Sequence, residues 1–157
     1  SGALRDAVFL WQVCWRMTVH FAKSEERPPM SKIEYFHAEG GASNPAPLSP
    51  AVRAGDFVYV SGQVPTLADG SVAAHDVETQ TAQVMRNIEE ALKLAGCELS
   101  DICKTTVWLH DARDFARFNK AYSAFFEQGK FPARSTTEAR LMINILVEIE
   151  AVAYKPV

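Results

Sequence analysis

Arg134 stands directly after Phe131-Pro132-Ala133, at the head of a β-rich run. A guanidinium held at a loop-to-strand junction presents a planar fork. That fork matches a carboxylate through two parallel hydrogen bonds. The same side chain would serve in an ordinary surface ion pair, and composition alone does not separate the two uses. Glu148 and Glu150 alternate along Val147–Tyr154, which puts both carboxylates on one face of a strand. Such a face is either simply solvated or holds one carboxylate that positions or activates water. Glycosidases also use two carboxylates, but nothing else in the chain suggests a sugar cleft. Ser61-Gly62-Gln63 closes the run that begins at Phe57. A glycine there is either a turn residue or a place where backbone can approach a ligand. Asn119 lies between Phe118 and Tyr122 on a helical stripe, where it can cap, bond internally or face a site.

Other chemistries find little support. His20, His37, His75 and His110 are far apart in sequence, and Cys14, Cys97 and Cys103 form no CxxC pair. No metal site is expected from those spacings. Three unevenly spaced cysteines are not a disulfide framework, which favours a reducing, cytoplasmic setting. Cys103 has no activating neighbour in sequence and reads as an inert core thiol. No GxSxG, Walker-type or GxGxxG loop occurs, so no cofactor is expected. A net charge of -3 with scattered Lys and Arg argues against a nucleic-acid partner. The apolar run Ala7–Trp15 is too short to span a bilayer, so no membrane partner is expected.

The elements that must position these residues follow from periodicity. Leu4, Val8, Trp11, Trp15 and Val19 recur at helical spacing, and Lys23–Pro29 reads as a polar linker. Residues 1–29 are therefore taken as an N-terminal extension ahead of a domain over 30–157. That extension is either dispensable or docks on a neighbouring subunit. Ile33–His37 is a short strand, and Asn44–Pro50 is a Pro-rich loop. Ala51–Arg53 and Phe57–Ser61 form a hairpin around Ala54-Gly55-Asp56. Asp76–Ala95 is the strongest helix: Val77, Thr81, Val84, Ile88, Ala91 and Ala95 line one stripe, Asp76 caps it and Gly96 closes it. Ile102–His110 alternates as a strand. Asp111 opens a second helix with Phe115, Phe118, Tyr122 and Phe125 as its buried face, ended by Gly129 and Pro132. Arg134–Leu141 and Leu146–Tyr154 are further strands around an unusually apolar turn, Met142–Ile145. The order gives an α+β fold: one mixed sheet with two helices on one face. Strands apolar on both faces, with helices enough for one, suggest that the other face meets a second copy.

The segments VYVSGQVP (Val58–Pro65), ICKTTVWLHDARDFARFNKAYSAFF (Ile102–Phe126), FPARST (Phe131–Thr136) and VEIEAVAY (Val147–Tyr154) resemble the Rid/YjgF family of enamine/imine deaminases. The likeness runs from about Asn44 to Tyr154. It implies a chorismate-mutase-like fold, a homotrimer with its sheet faces joined, and sites in the clefts between subunits. By resemblance, Arg134 grips the carboxylate of a small-molecule substrate and Glu148 holds the attacking water. Gly62 and Ser61 belong to the pocket lining, with Asn119 nearby. The implied reaction hydrolyses 2-aminoacrylate-like imines to 2-keto acids and ammonia, without metal or cofactor. Three departures bear on the pocket. Leu48 stands where many members carry an aromatic residue, and Thr136 where active members often have cysteine. The segment from Arg134 to Glu148 is one residue shorter than usual, with LMINIL (Leu141–Leu146) in place of a Pro-containing turn. A non-enzymatic trimer that binds small acids, and a ribonuclease or translation inhibitor, are the alternative readings.

Overall fold

The computed structural model describes residues 33–38 and 46–157. The extension assigned to residues 1–29 lies outside them. Strands β1 (Glu34–Phe36), β2 (Ala51–Ala54) and β3 (Phe57–Gln63) come first, followed by helix α1 (Val77–Leu94). Strand β4 (Ile102–Leu109), helix α2 (Phe115–Ser123), β5 (Ala133–Glu138) and β6 (Val147–Tyr154) complete the domain. The strands form one six-stranded sheet in the order β1-β2-β3-β6-β4-β5. Only β4 and β5 pair in parallel; every other pair is antiparallel. The expected α+β class, with two helices on a single mixed sheet, is what the described residues form.

Local chemistry sets the helix ends. The Asp76 carboxylate accepts from the Thr79 backbone N–H at 2.9 Å and from its hydroxyl at 2.8 Å. This satisfies donors that the first turn leaves free. The same bonds hold the Asp76 carboxyl down to about 2. Gly96 follows the C-cap at φ +70°, the left-handed conformation that side chains disfavour. Arg53 is buried on the inner face of the sheet and donates to the Ala95 and Lys155 carbonyls at 2.9 and 3.0 Å. A cation at a helix C-terminus meets the negative end of the helix dipole.

The core lies between the inner face of the sheet and the helices. Val58, Val60, Val107, Leu109, Val147, Ile149, Ala151 and Ala153 pack there against Val84, Met85, Ile88, Leu92 and Phe118. The opposite face carries Phe57, Tyr59 and Tyr154, each more than two-fifths exposed.

Four expectations need correction. Helix α2 stops at Ser123, well before Gly129. The Phe125 and Phe126 amides bond three residues back, at 3.2 Å each, which tightens the turn. The Phe126 ring then packs on Tyr122, with centroids 4.9 Å apart. Phe115 is 44% exposed, so it does not belong to the core. Cys103 is exposed as well. The β4–β6 register shifts between Ile102 and Lys104, and the extra residue is Cys103, turned outward. Strand β5 also ends earlier than expected, because β4 offers no partner beyond Leu109.

The apolar turn before β6 has a polar fastener. Gln80 is fully buried on α1; its side-chain oxygen accepts from the Leu146 amide at 2.8 Å, and its nitrogen donates to the Ala73 carbonyl at 3.3 Å. Ile145 is buried beside it, while Met142 is 89% exposed. Gln80→Leu would strip both backbone groups of their partner. An unsatisfied buried group costs about 1–3 kcal/mol. The expected result is a lower urea midpoint with an unchanged slope.

Candidate functional site

Two separate clusters emerge, one on each face of the sheet. The first surrounds Arg134. Its Cα pairs with Thr105 in the β4–β5 register, and Thr105 is fully buried under the helices. Arg134 therefore points to the helix side. One of its terminal nitrogens donates to Asn119 Oδ1 at 2.8 Å. Its guanidinium carbon lies 5.0 Å from the ring centre of Tyr122, 5.2 Å from that of Phe118 and 5.6 Å from that of Phe115. Aromatic faces attract a guanidinium through their quadrupole. The ion pairs among the described residues do not include Arg134. Asn119, Tyr122, Ser123, Phe131, Pro132 and Arg134 line a cavity of about 420 Å³. Thr136 lies two residues further along the same strand face. Its hydroxyl is shielded from solvent and unpartnered.

The second cluster surrounds Glu148. Its Cα pairs with Trp108 of β4, on the face away from the helices. Burial, and secondarily the neighbouring charge of Glu150, push the Glu148 carboxyl above the usual glutamate range. Glu148 shares a cavity of about 230 Å³ with Trp108, Ala139, Arg140, Leu141 and Met142. Across β3, the register shifts between Val60 and Gln63, so Ser61 and Gly62 together oppose Glu150. This bulge brings Gly62 under Glu148: a Cβ built on Gly62 would overlap Glu148 Oε1. The glycine thus acts by making room, not by closing a turn. Ser61 donates its hydroxyl to the Ser49 carbonyl at 2.7 Å, which ties the bulge to the loop that carries Leu48. Leu48 itself is 45% exposed.

The residues named from sequence thus divide. Arg134, Asn119 and Thr136 lie on the helix face; Gly62 and Glu148 meet on the open face. Thr105 and Trp108 are three residues apart on β4, and β5 and β6 flank that strand. Standard strand spacings then separate the Arg134 and Glu148 backbones by about 14 Å, with side chains diverging. Sequence reading missed Tyr122, Phe118 and Phe115 as partners of Arg134, because their helical stripe signalled only core. It also missed Trp108 beside Glu148, which nothing but strand alternation could have indicated.

The model of the family described as Endoribonuclease L-PSP matches residues 41–155. The chain belongs to that family, the Rid/YjgF proteins. A RutC family protein of Pyrococcus horikoshii is 40% identical over 124 residues, covering 78% of this chain and 98% of that protein. A 2-iminobutanoate/2-iminopropanoate deaminase of Salmonella typhimurium is 40% identical over 117 residues, covering 71% and 91% respectively. The crystal structure of the YjgF gene product from E. coli superposes with a TM-score of 0.70 at 37% identity, covering 77% of this chain and 98% of that one. This Rid-family chain therefore shares its fold with solved relatives over nearly their whole length.

Gly62→Ala tests the contact under Glu148. The atom in the way is the tip of a flexible side chain, so the carboxylate can swing aside. The expected result is stability within about 1 kcal/mol of wild type. The carboxyl-carbon resonance of Glu148 should show a changed titration. An unchanged titration would mean that Gly62 does not shape that carboxylate's surroundings.

Proposed function

We propose that this Rid-family protein hydrolyses 2-imino acids, tautomers of 2-aminoacrylate-like enamines, to 2-keto acids and ammonia. The observation that carries the reading is Arg134: a guanidinium in an open cavity, braced by Asn119 and aromatic rings, without a carboxylate partner among the described residues. A bidentate substrate carboxylate would complete it. The name of the Salmonella typhimurium relative supports the same substrate class.

The chemistry asks for little more than placement. Water adds across the C=N bond and gives a carbinolamine. A proton moves to nitrogen, the C–N bond breaks, ammonia leaves and the keto group remains. Glu148 would hold the water and take its proton. A carboxyl raised by burial is a better base than an exposed one. Arg134 would fix the imine carbon against that water, where orientation itself accelerates the step.

Arg134 and Glu148 of one chain face apart, so we propose that the working site forms between copies. One copy supplies Arg134, Asn119 and Thr136; its neighbour supplies Glu148, Gly62, Ser61 and Leu48. The exposed Phe57, Tyr59 and Tyr154 on the open face favour such association, since water-exposed aromatic area gains by burial. A closed homotrimer would repeat the site three times. Leu48, Thr136 and the short Arg134–Glu148 segment would then tune which imine fits. Residues 1–29 would stay an extension outside this domain.

The family model's description raises RNA cleavage as a second reading. A net charge of -3 disfavours phosphate binding. A non-enzymatic small-acid binder would keep Arg134 without needing Glu148.

The deciding assay follows ammonia release from 2-iminobutanoate generated in situ by a threonine dehydratase. Losing one partner of a buried charge pair costs about 2–5 kcal/mol, so Arg134→Ala should lose at least roughly tenfold in kcat/KM. Glu148→Gln should lose turnover yet still bind 2-oxobutanoate. If wild type does not accelerate imine loss, the deaminase reading fails. The pH profile gives an independent check. Glu148 works ionised, so activity should fall as pH drops through its raised pKa, and Glu148→Gln should erase that limb. Assembly is tested separately: Tyr59→Glu should shift the mass in light scattering toward the monomer and abolish activity. A monomeric, active wild type would refute the shared site.

A further inference from the structure

Tyr122 lines the Arg134 cavity and could be taken for a proton donor to substrate. Its surroundings point elsewhere. The hydroxyl is bonded to Thr105 Oγ1 at 2.8 Å, both residues being buried. Burial pushes the phenol above its usual range. The group is therefore occupied and poorly acidic. The ring lies 5.0 Å from the guanidinium carbon, the shortest of the three aromatic contacts to Arg134.

The topology closes a loop through these residues. Thr105 is the register partner of Arg134 in the β4–β5 pair. The base of the Arg134 side chain and the hydroxyl that anchors Tyr122 are thus neighbours in the sheet. Tyr122 also follows Asn119 by three residues on α2, so both project from one side of that helix. Asn119 holds one end of the guanidinium by a hydrogen bond, and Tyr122 offers it a face. Without such supports, a long arginine on an edge strand would sample many rotamers. Strand β5 is that edge.

We infer that Tyr122, anchored by Thr105, is a positioning residue: its ring fixes the Arg134 guanidinium in the orientation that receives a carboxylate. The inference deepens the deaminase reading and rests on it for its effect on substrate. The contact between Tyr122 and Arg134 does not rest on it. The pair separates two jobs within one side chain. The hydroxyl locks the ring, and the ring locks the arginine.

The experiment has a ligand-free arm and a ligand-dependent arm. In the first, the Arg134 Nε–Hε resonance is followed by NMR in wild type, Tyr122→Leu and Thr105→Val. Expected is a ring-shifted, dispersed signal in wild type. It should move to the position of a solvated arginine in Tyr122→Leu and part of the way in Thr105→Val. The fold is monitored through the amide spectrum. If Tyr122→Leu does not fold, Thr105→Val and Tyr122→Phe carry the test, since both keep the ring. An Arg134 signal unchanged in every folded variant overturns the inference.

In the second arm, 2-oxobutanoate binding is measured by calorimetry. Tyr122→Leu should weaken binding by roughly tenfold, the scale of a desolvated cation–π contact. The same change in an Arg134→Ala background should add nothing. Equal losses in both backgrounds would mean that Tyr122 acts through general structure, and would overturn the positioning role. A wild type that binds no 2-oxobutanoate and releases no ammonia would refute the deaminase reading. The NMR arm would still decide whether Tyr122 orders Arg134.

Discussion

The pleat of β4 is the constraint on which the arrangement depends. Successive residues of a strand face opposite sides. Thr105 and Trp108 are an odd number of residues apart, so their register partners Arg134 and Glu148 cannot share a face. No rotamer change can bridge a sheet. Either the two residues serve unrelated ends, or a second copy brings another Glu148 to Arg134. The exposed aromatic residues on the open face favour the second arrangement. A flaw in an isolated domain would be the requirement of the shared cleft proposed above.

Each half of the candidate site is stiffened by a different kind of interaction. On the helix face, Arg134 is held by an amide and by aromatic rings that belong to the core stripe of α2. The stripe that binds α2 to the rest of the protein also orders the cation. On the open face, order comes from backbone. The bulge at Ser61-Gly62 removes a side chain at the one place where Glu148 Oε1 needs room. Burial there and the adjacent Glu150 charge raise the carboxyl. The site carries local irregularity: a bulge, a cation without an ion pair among the described residues and an unpartnered Thr136 hydroxyl, each tolerable where a ligand or neighbour completes it.

Gln80 shows how the fold supports this from a distance. It lies in α1, away from both clusters, yet it bonds the amide two residues ahead of Glu148. The apolar turn that looked anomalous in sequence is pinned by that one polar side chain. Ile145 points in and Met142 out, so the turn is half core and half rim.

The sequence by itself determined the element order, the long helix with its Asp76 and Gly96 ends, and the alternation of β4. These depend on local capping and on periods of 2 and 3.6 residues, which any window of the chain displays. It also marked Arg134, Glu148, Gly62 and Asn119 as the residues of interest, through their likeness to the Rid/YjgF pattern. Only the tertiary structure decided how those residues are grouped. Strand register is set by pairing between distant segments, so no local window reveals that Arg134 meets Thr105 or that Glu148 meets Trp108. The same holds for the exposure of Cys103, which follows from a bulge, and for the early end of α2, where the Phe125 and Phe126 amides bond three residues back. The contact of Gly62 with Glu148 joins positions 86 residues apart in the chain. Composition can supply a glycine and a glutamate, but only the folded sheet places one beneath the other.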